Sequence, residues 1–291
     1  MKLQVAALAL VTSVFVVCQP ATPGDASSDT SFENHENVLI DLWTEGFATF
    51  GVYVPNENPP TSEQRQNRER PTPVYTKAGG EALAQNPLYD FVFLNLEGNY
   101  DVNAVEAIAD GLRTSTAAGR KTLLVRIPPI ERDGPDAART RVKEIIALGA
   151  DGVVLPHIRS PEDAELAVSF FTEAGVDVWS PANPSGEKIA MIMVEDPDAL
   201  ASLTEIANTP GYSILACGIG SLTRAFNGDR EAAEAENQAV LEHAKRVGVA
   251  DMITANSEDI VHRVQEGFLA LLMQGPTADD VIRLGRATAG R

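Results

Sequence analysis

Cysteine is nearly absent from this chain. Cys18 and Cys217 are the only two in 291 residues, and Cys18 ends an apolar leader of the kind that export removes or acylates. Cys217 is then the one thiol left in the body of the chain. An internal disulfide is excluded, and so is a Cys₂ or Cys₄ metal site. Cys217 closes the apolar run Ser213–Ala216 and reads as an inert, buried thiol. Basic residues are scarce too. The 23 Lys and Arg face 41 Asp and Glu, a formal charge of −18. Discarding Lys2 with the leader gives 22 − 41 = −19. A surface of that sign repels nucleic acid and anionic lipid. Nucleic-acid binding is set aside, and an anionic substrate needs a locally basic pocket. Like charges never run long enough to mark a disordered tail. No apolar run reaches the ~20 residues of a membrane span, and no short motif repeats as a solenoid requires.

The longest apolar run, Leu3 to Val17, has the length of a signal-peptide core and follows the positive start Met1-Lys2. Cys18 then opens a polar stretch, Gln19 to Asn34, rich in Pro, Ser, Thr, Gly and Asp. This is the pattern of a bacterial lipoprotein signal, except that Val17 stands where such signals place a small residue. The expectation is a signal over 1–18, a flexible tether over 19–40 and a folded domain over 41–291. The protein is expected to be exported, periplasmic or at the cell surface, with an acylated Cys18 as its membrane tether.

From about residue 47, short apolar runs alternate with longer amphipathic ones. Strands are expected at Phe50–Val54, Asp90–Leu96, Thr122–Ile127, Gly152–Leu155, Val176–Trp179, Ile189–Val194, Ser213–Cys217 and Asp251–Thr254. Helices are expected between them, including Lys77–Gln85, Val102–Ala118, Asp136–Leu148, a helix opened by Ser160-Pro161, Arg230–Val247, Glu258–Leu272 and Thr277–Arg286. Near-continuous apolar strands are what a parallel sheet buried on both faces demands. Eight strand–helix repeats in ~240 residues fit a closed (β/α)₈ TIM barrel better than a doubly wound sheet. Residues 55–75 break the rhythm with a polar, Pro-rich insertion. It follows the first strand, so it falls on the C-terminal rim, as a surface insertion or as a lid.

Barrel sites form at the C-terminal ends of the strands. Those ends carry charge where the strands themselves are apolar. Arg126 follows an apolar run and is costly to bury without an anion. It either holds a substrate carboxylate bidentately or pairs with Glu97 or Glu195. Glu195 follows Ile189–Val194 and suits a metal ligand or a general base, or else a paired, capping carboxylate. His157, beside Pro156, could serve as acid or base, or as a hydrogen-bonded structural histidine. Gly218-Ile219-Gly220-Ser221 reads as a tight turn whose amides can hold an anion. His35, His243 and His262 are given no role.

These residues resemble the HpcH/HpaI aldolase family over residues 47–290. The likeness runs through YDFVFLNLEG, LLVRIPP, GADGVVLPHIRSPEDAELAV, MIMVED and CGIGSLTRAFNG, in the family's order and spacing. The resemblance implies a carbon–carbon lyase acting on a small 2-oxo acid such as pyruvate. It also implies a divalent metal (Mg²⁺, Mn²⁺ or Co²⁺) held by a Glu and an Asp. By position Glu195 matches the metal Glu, Arg126 the pyruvate-binding Arg, and Glu97 the acid of the second-strand motif. Gly220 and Ser221 match the carboxylate-binding turn, and Asn95 is a neighbouring substrate-side position. The pattern departs from the family at three points. The motif Asp-x-Glu-His is Asn95-Leu96-Glu97-Gly98 here, so Gly98 replaces the histidine and His157 is the candidate substitute. Ser221 stands for the metal Asp, which weakens a metal site unless Glu97, Asp196 or His157 supplies a substitute ligand, and Met193 stands for a common Gln. Two alternatives therefore stay open: a lyase or isomerase without a tightly bound metal, and a non-catalytic exported carboxylate-binding protein. The resemblance further implies a homo-oligomer, with Thr277–Arg286 as the exchanged helix.

Overall fold

The computed structural model describes residues 35–114 and 118–291. The expected signal, Cys18 and the tether up to residue 34 lie outside these. Helix α1 (Val38–Thr44) leads into β1 (Thr49–Tyr53), and α2 (Ser62–Gln66) and α3 (Lys77–Gln85) separate it from β2 (Phe91–Asn95). Then α4 (Val102–Arg113) precedes β3 (Thr122–Arg126), and α5 (Ile130–Asp133) and α6 (Pro135–Ala147) precede β4 (Gly152–Leu155). Helix α7 (Pro161–Glu173) precedes β5 (Ile189–Val194), and α8 (Pro197–Leu200) and α9 (Leu203–Ala207) precede β6 (Ile214–Cys217). Helices α10 (Ile219–Ala225) and α11 (Arg230–Val247) precede β7 (Ala250–Thr254), α12 (Ile260–Glu266) precedes β8 (Ala270–Met273), and α13 (Ala278–Thr288) completes the ring. Each strand pairs in parallel with the next, and β8 pairs with β1, so the sheet closes. The fold is the (β/α)₈ barrel.

Strand alternation sorts the apolar residues into two cores. One set points inward: Phe91 and Phe93 of β2, Leu124 of β3, Val154 of β4, Met191 and Met193 of β5, Met252 of β7 and Leu272 of β8. The other set, including Val92, Val125, Val153, Ile192 and Leu271, faces the helices. The interior is therefore filled with side chains, and only the mouth is free to bind. Local signals place the helices. The Ser160 hydroxyl accepts the Asp163 amide with Pro161 at the first helical position, as the sequence implied.

Three departures from the expected elements matter. Val176–Trp179 is not a barrel strand, since only an isolated bridge, Val178 to Lys188, survives there. The missing strand is Ala270–Met273, which the sequence pattern merged into a helix over Glu258–Leu272. Gly267, at φ +92°, adopts the left-handed conformation that ends α12 and lets the chain turn into β8. Glu195, Gly218 and Asn256 accordingly follow the fifth, sixth and seventh strands. The third departure is at the barrel floor. The expected tether runs to residue 40, yet Asn37 caps α1, and Leu39 and Ile40 are fully buried under the inner core. Each such side chain contributes roughly 1.5–3 kcal/mol by leaving water. Trp43 donates to Thr49 Oγ1 and to the Leu269 carbonyl, both at 3.1 Å, fixing the plug to β1 and β8.

The 55–75 insertion holds α2 with a capping box between Thr61 and Gln64. Its ends are tied to each other: Glu57 accepts the Thr76 amide at 2.9 Å, and Asn56 accepts the Val74 amide at 2.9 Å. No helix among the described residues is long and apolar enough to cross a membrane.

Candidate active site

The inward positions continue past the ends of the strands. On β5 the series Ile189, Met191, Met193 leads to Glu195; on β3, Leu124 leads to Arg126; on β2, Phe91, Phe93 and Asn95 lead to Glu97. His157 lies one residue out of step, because the inward position of its strand end is Pro156. A left-handed backbone, φ +56°, turns the imidazole into the mouth. A non-glycine residue in that region carries strain that its surroundings must hold. Here the His157 amide donates to Glu195 Oε1 at 3.2 Å.

These side chains share one network. Arg126 Nη2 donates to Glu97 Oε1 at 2.9 Å and to Glu195 Oε1 at 2.7 Å. Both bonds use Nη2, and the buried Arg126 Nε has no hydrogen-bond partner. The ion-pair alternative for Arg126 is thus realised with both glutamates at once. Glu195 is 2% exposed, and its other oxygen accepts the Ser221 hydroxyl at 3.1 Å. His157 Nδ1 lies 2.8 Å from Asp196 Oδ2, and its Nε2 lies 3.2 Å from Glu97 Oε1 and 3.7 Å from Glu195 Oε1. Asp196 also pairs with Arg159 Nε at 3.3 Å. Three carboxylates are thus set among two guanidinium groups and one imidazole.

The electrostatics follow from that packing. The hydrogen bond to Glu97 is the main force raising His157 to about 9; burial opposes it, and Glu195 and Asp196 assist. Burial works to raise Glu97, but His157 and Arg126 outweigh it and hold the carboxyl below its ordinary range. Burial raises Tyr53, leaving a neutral phenol. Burial likewise pushes the Cys217 thiol well up, which fits its reading as inert.

A cavity of about 400 Å³ opens over this network. Glu97, Arg126, His157 and Glu195 line it together with Gly218 to Ser221. Gly218 touches Glu195 directly: a Cβ there would lie 2.2 Å from the Glu195 Cβ. The Ser221 amide donates to the Gly218 carbonyl at 2.8 Å. The open amides of this turn are therefore those of Ile219 and Gly220. Asn95 is not part of the lining; its side chain accepts the Glu97 amide at 3.1 Å and shapes that turn. Nor does any residue of the 55–75 insertion line the cavity.

Sequence reasoning missed Tyr53, Thr254 and Arg224, which also line it. Tyr53 and Thr254 are the last, inward-facing residues of β1 and β7, so strand parity alone would have found them. Asp196, which precedes Pro197 at the start of α8, also carries the contact that holds His157. The three donor atoms of Glu97, His157 and Glu195 lie within 4.8 Å of one another, a spacing that suits one metal ion.

Fold and mouth together define a (β/α)₈ barrel with a carboxylate- and arginine-built site at the C-terminal ends of its strands. The profile of the HpcH/HpaI aldolase/citrate lyase family matches residues 84–273, and the chain belongs to that family of aldolases and lyases. Among solved structures it resembles an HpcH/HpaI aldolase/citrate lyase family protein from Burkholderia cenocepacia J2315, with TM-score 0.61 and 22% identity over 87% of this chain and 97% of that one. It also resembles the citrate synthase SbnG, at 0.60 and 16% over 87% and 96%. A third is CitE from Mycobacterium tuberculosis in complex with magnesium and acetate, at 0.51 and 17% over 84% and 92%. At these identities the likeness speaks to the fold. No curated protein matches the sequence.

Proposed function

We propose that the chain is an aldolase-type carbon–carbon lyase acting on a small 2-oxo acid such as pyruvate or a related carboxylate. The observation that carries this reading is the convergence of Glu97, Arg126, His157 and Glu195 on one cavity, from four different strand ends. The donor set fits a divalent ion, with Glu195, Glu97 and His157 as the residues that would hold it. Such an ion supplies Lewis acidity, polarising the 2-oxo oxygen and making the adjacent carbon acidic. The chain's own groups do the rest. Arg126 offers the substrate carboxylate a guanidinium that Glu97 and Glu195 hold in place, and the open amides of Ile219 and Gly220 add donors. Tyr53, a neutral phenol lining the same cavity, supplies a proton where Gly98 offers no imidazole. The export and lipid anchor belong to this proposal on the strength of Leu3–Val17 and Cys18, and the homo-oligomer on family resemblance.

The test is turnover. Purified protein with Mg²⁺, Mn²⁺ or Co²⁺ is expected to decarboxylate oxaloacetate or exchange the methyl protons of pyruvate. Glu195→Gln should lower kcat by at least about 100-fold, as loss of a charge-stabilising group does, while a carboxylate ligand still binds. Arg126→Lys should raise KM or abolish binding. Binding without turnover under all three metals would replace this reading by the exported binding protein.

A further inference from the structure

We propose that His157 is itself a metal ligand in this chain, and that its imidazole suits the site to a first-row transition ion rather than to magnesium. The inference rests on the reading that an ion binds at this cavity. The argument starts at Ser221. The family resemblance puts a metal-binding aspartate there, and the serine hydroxyl instead donates to Glu195 Oε2 at 3.1 Å. It orients a ligand and adds no carboxylate. The second donors must come from elsewhere, and two candidates sit within reach of Glu195: Glu97 and His157.

The orientation of His157 is that of a ligand. Metal-bound histidines commonly donate their second ring N–H to a carboxylate, which fixes the tautomer and raises ligand basicity. Asp196 Oδ2, 2.8 Å from Nδ1, occupies that position. It leaves Nε2 turned toward Glu97 Oε1 at 3.2 Å and Glu195 Oε1 at 3.7 Å. The ring is carried on a left-handed backbone at residue 157, φ +56°. The His157 amide, donating to Glu195 Oε1 at 3.2 Å, helps hold the backbone there. Asp196 is therefore a positioning residue, and Arg159, 3.3 Å from the same oxygen, helps hold it.

Donor chemistry then sets the ion. Magnesium takes oxygen ligands in a near-ideal octahedron and keeps its water. A set of two carboxylates and one imidazole suits manganese, cobalt, iron or zinc better, because nitrogen donors favour those ions. Three protein ligands leave positions for water or a 2-oxo acid.

The experiment is metal titration of the purified protein by calorimetry with Mg²⁺, Mn²⁺, Co²⁺ and Zn²⁺, read without any substrate. Co²⁺ and Zn²⁺ are expected to bind at least about 10-fold more tightly than Mg²⁺. His157→Gln should weaken Co²⁺ and Zn²⁺ more than Mg²⁺ and so erase that difference, and Asp196→Asn should weaken Co²⁺ roughly 10- to 100-fold. Ser221→Asp should raise Mg²⁺ affinity. Pulsed EPR of the Mn²⁺-loaded natural sequence needs no variant and should show coupling to one ¹⁴N nucleus. Equal Mg²⁺ and Co²⁺ affinity, absent nitrogen coupling, or unchanged Co²⁺ affinity in His157→Gln would overturn the inference. Failure of the lyase reading looks different: the ion binds through His157, and no 2-oxo acid turns over.

Discussion

Among single residues, His157 does the most with the least sequence signal. Its charge is shared with Glu97, Glu195 and Asp196, and its titration is lifted from 6.5 to about 9. A histidine whose folded value exceeds its unfolded one stabilises the fold fully below the unfolded value, and that stabilisation is lost as pH rises through the folded value. In the presence of a chelator, the urea midpoint is expected to fall between about pH 6.5 and pH 9 through this group. His157→Gln should lack that component, and parallel curves for both proteins would show that the network does not stabilise the fold. Arg126 and Glu195 were legible at this scale because each places charge at the end of an apolar run. Tyr53 carries no such charge, and only its inward parity as the last residue of β1 marks it. Asp196 was half legible: Asp-Pro marks a helix start, and nothing local says that its carboxylate faces an imidazole 39 positions away.

At the scale of elements, position in the ring depends on where helices stop. Gly267 was a stop signal overlooked because Phe268 to Met273 prolongs the apolar pattern of α12. A helix and a buried strand cannot be told apart from an apolar run of that length, and the glycine decides it. Val176–Trp179 is the converse, a strand-like run that the chain uses as a bridge beneath the barrel. Gly218 is the element joint on which the site depends. It joins β6 to α10, and its φ of −82° is open to any residue. Space is what excludes a side chain, since a Cβ would overlap the Glu195 side chain at 2.2–2.5 Å. Gly218→Ala is expected to fold, to displace Glu195, and to lower turnover at least as far as Glu195→Gln does. A far-ultraviolet spectrum like the natural protein's together with undiminished turnover would count against the assigned position of Glu195.

The whole molecule adds a field. With a formal charge of −18, the barrel repels the anions proposed as its substrates, and the basic groups at the mouth act only locally. Screening should help. Raising ionic strength from about 0.01 to about 0.15 M shortens the Debye length from about 30 to about 8 Å. The value of kcat/KM for a dianionic oxo acid is expected to rise over that range, and to rise more than for pyruvate. A steady fall with salt would mean that the mouth itself, and not the net charge, governs encounter.

The barrel and its family were readable in the sequence, because both are written in local terms: apolar runs of strand length, helix caps, and short motifs in a set order. Each such signal depends on residues that are neighbours in the chain. The site is written in other terms. Glu97 and Glu195 stand 98 positions apart and meet on one guanidinium, by way of strand closure and inward parity. The left-handed turn that brings His157 in, and the burial of Leu39 and Ile40 beneath the inner core, were likewise decided by the tertiary structure. Only closing the sheet fixes which side chains share a volume, and shared volume is what sets their charge, their partners and the ion they can hold.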